Sequence, residues 1–230
     1  MGKGVRRAVK DVVIACKMME AEMEKALEAT GSQAIVLWLD KELHNVPERL
    51  RDVLQETMDD AERTHHPDRV LLAFGFCGNA AQGLRAGAYQ LILPRTDDCI
   101  TMLLGSRQRK AALEAGAGTM FLTQNWIGSD NDLLSVRNRM FEEYDEDEAQ
   151  EIFDMMYGHY GRIALLDTGC YPIEPLVERS KHMADTLGFE HRVYEASNHW
   201  LCRLLTGPWD EEDFIVKGPG EVIEGRDLRR

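Results

Sequence analysis

The chain predicts an α/β fold with a mostly parallel, Rossmann-like sheet arranged in two similar lobes. Three observations carry this. Apolar runs such as VVIAC (12–16), VLLAFGF (70–76) and QLILP (90–94) are too short for helices and end at Gly, Pro or polar residues, as buried parallel strands do. Amphipathic helical stretches separate them. The same rhythm resumes after residue 160, with RIALLDTGC, a helix over 173–187 and HRVYEAS. The lobes are expected at 1–128 and 161–230, joined by an acidic helical connector at 129–160.

Taken in order, VVIAC ends on Cys16 and feeds a helix in which Met19, Met23, Ala26 and Leu27 recur at helical spacing before Thr30-Gly31 closes it. AIVLWL (34–39) is the second strand. A loop carrying His44 follows, and Pro47 suits the first turn of a helix whose Leu50, Val53, Leu54, Met58 and Ala61 share one face. VLLAFGF then enters GFCGNAAQG, a glycine-rich strand-to-helix turn matching neither the dinucleotide fingerprint nor a P-loop. Its glycines, Gly78 among them, let backbone approach whatever Cys77 touches. After QLILP, the segment PRTDDCI puts Arg95, Asp97, Asp98 and Cys99 within one turn of each other, at the start of the helix ITMLLGS. TMFLTQ (119–124) precedes Asn125-Trp126-Ile127-Gly128, so Trp126 is expected to line a cleft. In the second half RIALLDTGC presents Asp167, Thr168 and Cys170, Cys202 sits in a short helix, and FIV supplies a last strand.

The 230 residues carry a formal charge of −13, with acid concentrated at 142–151 and 210–213. Phosphate backbones want a basic surface, so nucleic acid is excluded as a partner. Both acidic runs read as solvated helix starts, and the only basic cluster is the N-terminal arm with Lys3, Arg6, Arg7 and Lys10. No apolar run reaches bilayer length and no secretory signal is recognisable, which predicts a cytoplasmic protein with reduced cysteines. A small-molecule substrate and no membrane partner are expected; a homo-oligomer is compatible with the composition.

Open parallel sheets bind ligands at the carboxyl ends of their strands. The five cysteines, Cys16, Cys77, Cys99, Cys170 and Cys202, all follow strands on that expected edge. Any one cysteine is more often core packing than a ligand, and the clustering is what points to chemistry. Three thiolates with a histidine suit zinc, and three or four thiolates hold an iron–sulfur cluster. Cys16, Cys77 and Cys99 are therefore the expected ligands, with His44 as the fourth, and Arg95, Asp97 and Asp98 are the candidate catalytic groups. Two thiols facing each other, Cys77 and Cys170, are also the pattern of a cofactor-independent racemase-like acid–base pair. Asp97 and Asp98 beside Cys99 would raise a thiol's pKa and weaken that alternative.

The blocks LH at 43–44, GFCGN at 75–79, PRTDDCITMLLGS at 94–106, GTMFLTQNWI at 118–127 and LLTGPWDEEDFIVKGPG at 204–220 resemble the family called domain of unknown function 1638. The resemblance runs through nearly the whole chain. Its motifs fall on Cys16, His44, Cys77, Arg95, Cys99, Ser106 and Trp126, which adds Ser106 to Gly78, Trp126 and Cys170 as candidate substrate-binding residues. Members often accompany corrinoid-dependent methyltransferase systems. The resemblance thus implies one-carbon metabolism, with a metal-thiolate methyltransferase as one reading. A metal-free accessory module that binds a methyltransferase or its corrinoid protein is the other. The chain has no DxHxxG-type corrinoid motif, so any corrinoid is expected on the partner.

Overall fold

The computed structural model describes residues 9–229; Lys3, Arg6 and Arg7 of the basic arm lie outside them. The elements in chain order are β1 (Asp11–Cys16), α1 (Glu20–Thr30), β2 (Ile35–Leu39), α2 (Pro47–His65), β3 (Arg69–Ala73) and β4 (Gln90–Pro94). Next come α3 (Cys99–Leu104), α4 (Arg107–Glu114), β5 (Gly118–Leu122), α5 (Leu133–Glu143), α6 (Glu146–Tyr157) and β6 (Tyr160–Asp167). The chain ends with α7 (Glu174–Leu187), β7 (Glu190–Glu195), α8 (His199–Thr206) and β8 (Phe214–Lys217). The α/β class with mostly parallel sheets is the fold the sequence predicts.

The chain separates into two compact units. One comprises the residues up to Lys17 with Ala26–Cys99 and Trp200 onward; the other comprises Met18–Lys25 and Ile100–His199. The expected lobes are 1–128 and 161–230, but residues 18–25 and 100–128, with β5, fall in the second unit and those from Trp200 in the first. The last segment returns to the first unit because β8 adds to β4 as an antiparallel edge, from Leu91 opposite Lys217 to Pro94 opposite Phe214. The stretch expected as a helical connector forms the helices α5 and α6. Leu133 and Phe153 join Leu122, Ile163 and Leu165 in the second unit's core, so this segment packs rather than links.

The first unit's sheet runs β2-β1-β3-β4-β8, parallel but for β8. Val12, Val13, Ile14 and Ala15 of β1 and Val70 to Ala73 of β3 are fully buried, as central strands covered on both faces must be. Between them α2 starts on Pro47, buries Leu50, Leu54, Met58 and Ala61 along one stripe, and ends with His66 in the left-handed conformation at φ 46°. The second unit's sheet is β5-β6-β7, all parallel, with β6 central and its Ile163 to Leu166 buried. Helix α7 closes on Gly188, whose φ of 70° lets its amide reach the carbonyls of Ala184 and Asp185.

The two acidic runs have different fates. Residues 145–148 do begin a helix, with Asp145 capping α6 through a 3.0 Å bond accepted from the Glu148 amide. The run at 210–213 does not: Asp210 and Asp213 hold Arg203 at 2.8 and 2.6 Å, and the Arg203 guanidinium lies over the rings of Trp200 and Phe214. Helix α4 is an element the sequence reading lacked.

Candidate functional site

The strand order of the first sheet makes a switch point. β1 lies between β2 and β3, so the chain leaving β1 turns to one side and the chain leaving β3 belongs to the other. Such a reversal opens a crevice at the carboxyl ends of the two strands. Cys16 is the last residue of β1, Cys77 lies just past β3, and Cys99 follows β4 and opens α3.

Backbone bonds bring the second and third of these together. The Phe76 amide donates to the Thr96 carbonyl at 2.8 Å and the Cys77 amide to the Asp97 carbonyl at 2.9 Å, so 76–77 and 96–97 are zipped like a short extra ladder. Gly75 is obligatory at this seam, because a Cβ there would stand 2.5 Å from the Asp98 Cα. The expected helix after GFCGN does not form. Cys77, Gly78 and Asn79 are instead consecutive left-handed residues, at φ 42°, 69° and 69°, and a Cβ on Gly78 would sit 2.8 Å from the Cγ of Pro47. A non-glycine residue in this region is uncommon and costs free energy, which concentrates such residues at working sites. Cys77 consequently has no helix N-terminus beneath it.

The three thiols share one electrostatic environment. Burial raises the Cys77 thiol to about 12, helped by the nearby Cys16 sulfur and the Asp98 carboxylate. Burial, then Cys77, Cys16 and Asp98, hold Cys99 well above the ordinary thiol value. Cys77 and Cys99 are therefore neutral thiols at neutral pH, and each is pushed up by charge on Cys16 and Asp98. Thr96 adds a buried hydroxyl that no protein group bonds. Among the described residues, no group of three or more His, Cys, Asp and Glu side chains is arranged to hold a metal ion.

The remaining candidates divide. His44 lies in a short 3₁₀ turn, exposed, with Nδ1 against the carbonyl of Lys41. Arg95 is a staple for the C-terminal segment: its Nε donates to the Glu211 carbonyl at 2.8 Å and Nη1 to the Asp227 carbonyl. Asp97 offers its carbonyl to Cys77. Ser106 caps α4, accepting from the Arg109 amide at 3.1 Å. Trp126 packs half-buried against the second unit's core, as does Cys170, whose Sγ lies 3.5 Å from the Thr168 carbonyl. Cys202 is half-buried on α8, its thiol raised by burial.

Glu22 is a buried ionisable residue that the sequence reading passed over. Glu22, near the start of α1, is 1% exposed and belongs to the second unit, where Thr168 Oγ1 donates to its Oε1 at 3.2 Å. A signal was present: Glu22 falls three residues after Met19 and four before Ala26, on the apolar stripe of its own helix.

These features define an α/β protein of mostly parallel sheets with three cysteines at a strand switch point, Cys16 buried and Cys77 and Cys99 half-buried. Residues 38–205 match the model of a family described as protein of unknown function DUF1638, and the chain belongs to that family. No curated protein and no solved structure matches it. Among the described residues no helix is long and apolar enough to cross a membrane.

Proposed function

We propose that this is a metal-thiolate protein whose centre is Cys16, Cys77 and Cys99, binding zinc or an iron–sulfur cluster. The observation that carries the reading is the mutual electrostatic influence of three sulfurs delivered by three separate strand ends to one switch point. A desolvated cluster of thiols ionises only against a positive charge, and a soft cation is the partner thiolates prefer. Because Cys77 and Cys99 are protonated without it, binding a metal means losing protons. His44 is the fourth ligand we propose, on the strength of its family motif and its loop on the carboxyl edge; its Nδ1 lies against the Lys41 carbonyl. A substrate thiol or the Thr96 hydroxyl could complete the set in its place.

The reaction context we attach is corrinoid-linked methyl transfer, on the strength of the resemblance alone. Zinc supplies a thiolate nucleophile at neutral pH, and the residues here would hold it dry. Against the racemase-like alternative stands Cys77: a thiol held at about 12 is poorly placed to take a proton from carbon near neutrality.

Anaerobic purification followed by elemental analysis and an absorption spectrum tests the reading. One zinc per chain, or iron with sulfide-to-iron absorption in the visible, is expected, and Cys77→Ser and Cys99→Ser should each lose it. Metal-free protein that stays empty after incubation with zinc, and with iron and sulfide, leaves the accessory-module reading in its place.

A further inference from the structure

The second unit carries a chemical centre of its own. Each of its three strands ends by placing a polar side chain on the segment 18–22. After β5, Thr123 Oγ1 donates to the Met18 carbonyl at 3.2 Å; after β6, Thr168 Oγ1 donates to Glu22 Oε1 at 3.2 Å; after β7, Asn198 Nδ2 donates to the Glu22 carbonyl at 3.2 Å. Asn125 Nδ2 reaches Glu20 Oε2 at 3.3 Å. The carboxyl edge of this sheet, where open α/β sheets bind their ligands, is thus built around a glutamate.

That glutamate lacks what a buried carboxylate needs. At 1% exposure it has the Thr168 hydroxyl and its own amide as hydrogen-bond donors, and no Lys, Arg or His of the described residues pairs with it. An ionisable group facing it is the Tyr171 phenol, which is spent on the Leu166 carbonyl at 2.6 Å and stays neutral. Glu20 and Asp167, the nearby acids, are bonded by Asn125 and by the Gly169 amide. Burial raises the Glu22 carboxyl from 4.5 to about 7. Ionising an unpaired carboxyl in such a place is costly unless a cation arrives. The turn beyond Thr168 is at the surface: Gly169, at φ 67°, is exposed and would have nothing within 4 Å of an added Cβ.

We propose that Glu22 and the Thr168 hydroxyl bind the protonated nitrogen of a small cationic ligand at the carboxyl edge of the second sheet. Glu22 gives up its proton as the ligand enters and takes it back as the ligand leaves, so binding couples to proton release. A protonated nitrogen matches the two oxygens as a hydrogen-bond donor as well as by charge, which a bare alkali ion cannot do.

The experiment follows the Glu22 side-chain carboxyl carbon by NMR in full-length protein labelled at glutamate, assigned by its loss in Glu22→Gln. Titration between pH 4 and 9 is expected to give a midpoint near neutrality. Guanidinium or ethylammonium at non-denaturing, millimolar concentration should move that midpoint down by a unit or more, saturably. Potassium chloride at equal ionic strength should not, and Thr168→Val should weaken the response. A midpoint in the ordinary carboxyl range, a midpoint indifferent to both nitrogen cations, or an equal shift with potassium overturns the proposal. So does an upward shift with acetate, which would mark an anion site. The readout does not depend on the thiols and separates this inference from the metal reading.

Discussion

Two sheet edges in this chain are made the same way and loaded differently. On the first sheet, strand ends deliver Cys16, Cys77 and Cys99 into a seam zipped by backbone hydrogen bonds. On the second, strand ends deliver Thr123, Thr168 and Asn198 as hydrogen-bond donors around one carboxyl group. Burial raises the Cys77 and Cys99 thiols on one edge and the Glu22 carboxyl on the other, but the charge each edge would accept is different. Thiolates call for a soft cation with vacant orbitals, and a carboxylate with hydroxyl neighbours calls for a hard or hydrogen-bonding one. The two proposals differ accordingly: the scaffold is shared, and side-chain softness sets which cation each edge would take.

The strongest way to break the comparison is through the proton count of the first edge. Filling it with metal must expel the thiol protons, so at pH 7, below the raised thiol values, affinity should climb steeply with pH. With three thiols the rise approaches roughly a thousandfold per pH unit, and each serine substitution should remove about tenfold of that slope as well as most of the affinity. Competition with a chromophoric chelator at pH 6.5, 7.0 and 7.5 reads it. A flat profile would mean that the sulfurs are not the ligands.

The second edge answers to pH through stability. Glu22 has a folded value of about 7 against 4.5 unfolded, so the folded chain binds the extra proton between them. Its stabilising contribution is full below pH 4.5 and is lost as pH rises through 7; at about 1.4 kcal/mol per unit, the loss is on the order of 3 kcal/mol. Urea unfolding at pH 5 and pH 8 should show that decline in the wild type and a much flatter profile in Glu22→Gln. A nitrogen ligand bound at Glu22 should restore part of the loss at pH 8.

Tightness separates the edges too. Gly75→Ala forces a Cβ onto the Asp98 backbone and should cost about 1–3 kcal/mol while loosening Cys77 from Cys99, so metal content falls with it. Gly169→Ala meets no neighbour and suffers only from its left-handed φ, a cost of about 1 kcal/mol that should leave metal untouched. Thermal unfolding with elemental analysis compares the two.

How much of this could be seen in the sequence depends on which physical signal each feature uses. Strands such as VVIAC and QLILP announce themselves because burial on both faces demands unbroken apolar residues, and the placement of Cys16, Cys77 and Cys99 past strand ends follows from that alone. The return of β8 to β4 was not legible, since it depends on long-range pairing and on Arg95 gripping carbonyls more than a hundred residues away. Nor was the left-handed turn at Cys77, where a glycine-rich segment reads equally as the start of a helix. The acidic run at 210–213 looked solvated because its partner, Arg203, becomes a neighbour only through the fold. Glu22 was legible as a charge on an apolar stripe and was passed over among the other acids of its helix.

The smallest effect tests whether a family motif can be purely architectural. Ser106 ends the block PRTDDCITMLLGS, which the resemblance marks as functional, yet its Oγ takes the Arg109 amide and closes the first turn of α4. If capping is its whole role, Ser106→Ala should cost about 1 kcal/mol, the usual worth of an N-cap, and change neither metal content nor the Glu22 titration. Ser106→Asp keeps an acceptor at the same place and adds a charge the helix N-terminus favours, so it should recover the stability. A ligand-binding serine behaves differently, because the added carboxylate would disturb a ligand while still capping the helix. Loss of ligand response in Ser106→Asp at full stability would therefore return Ser106 to the site, and recovery of both would confine it to the fold.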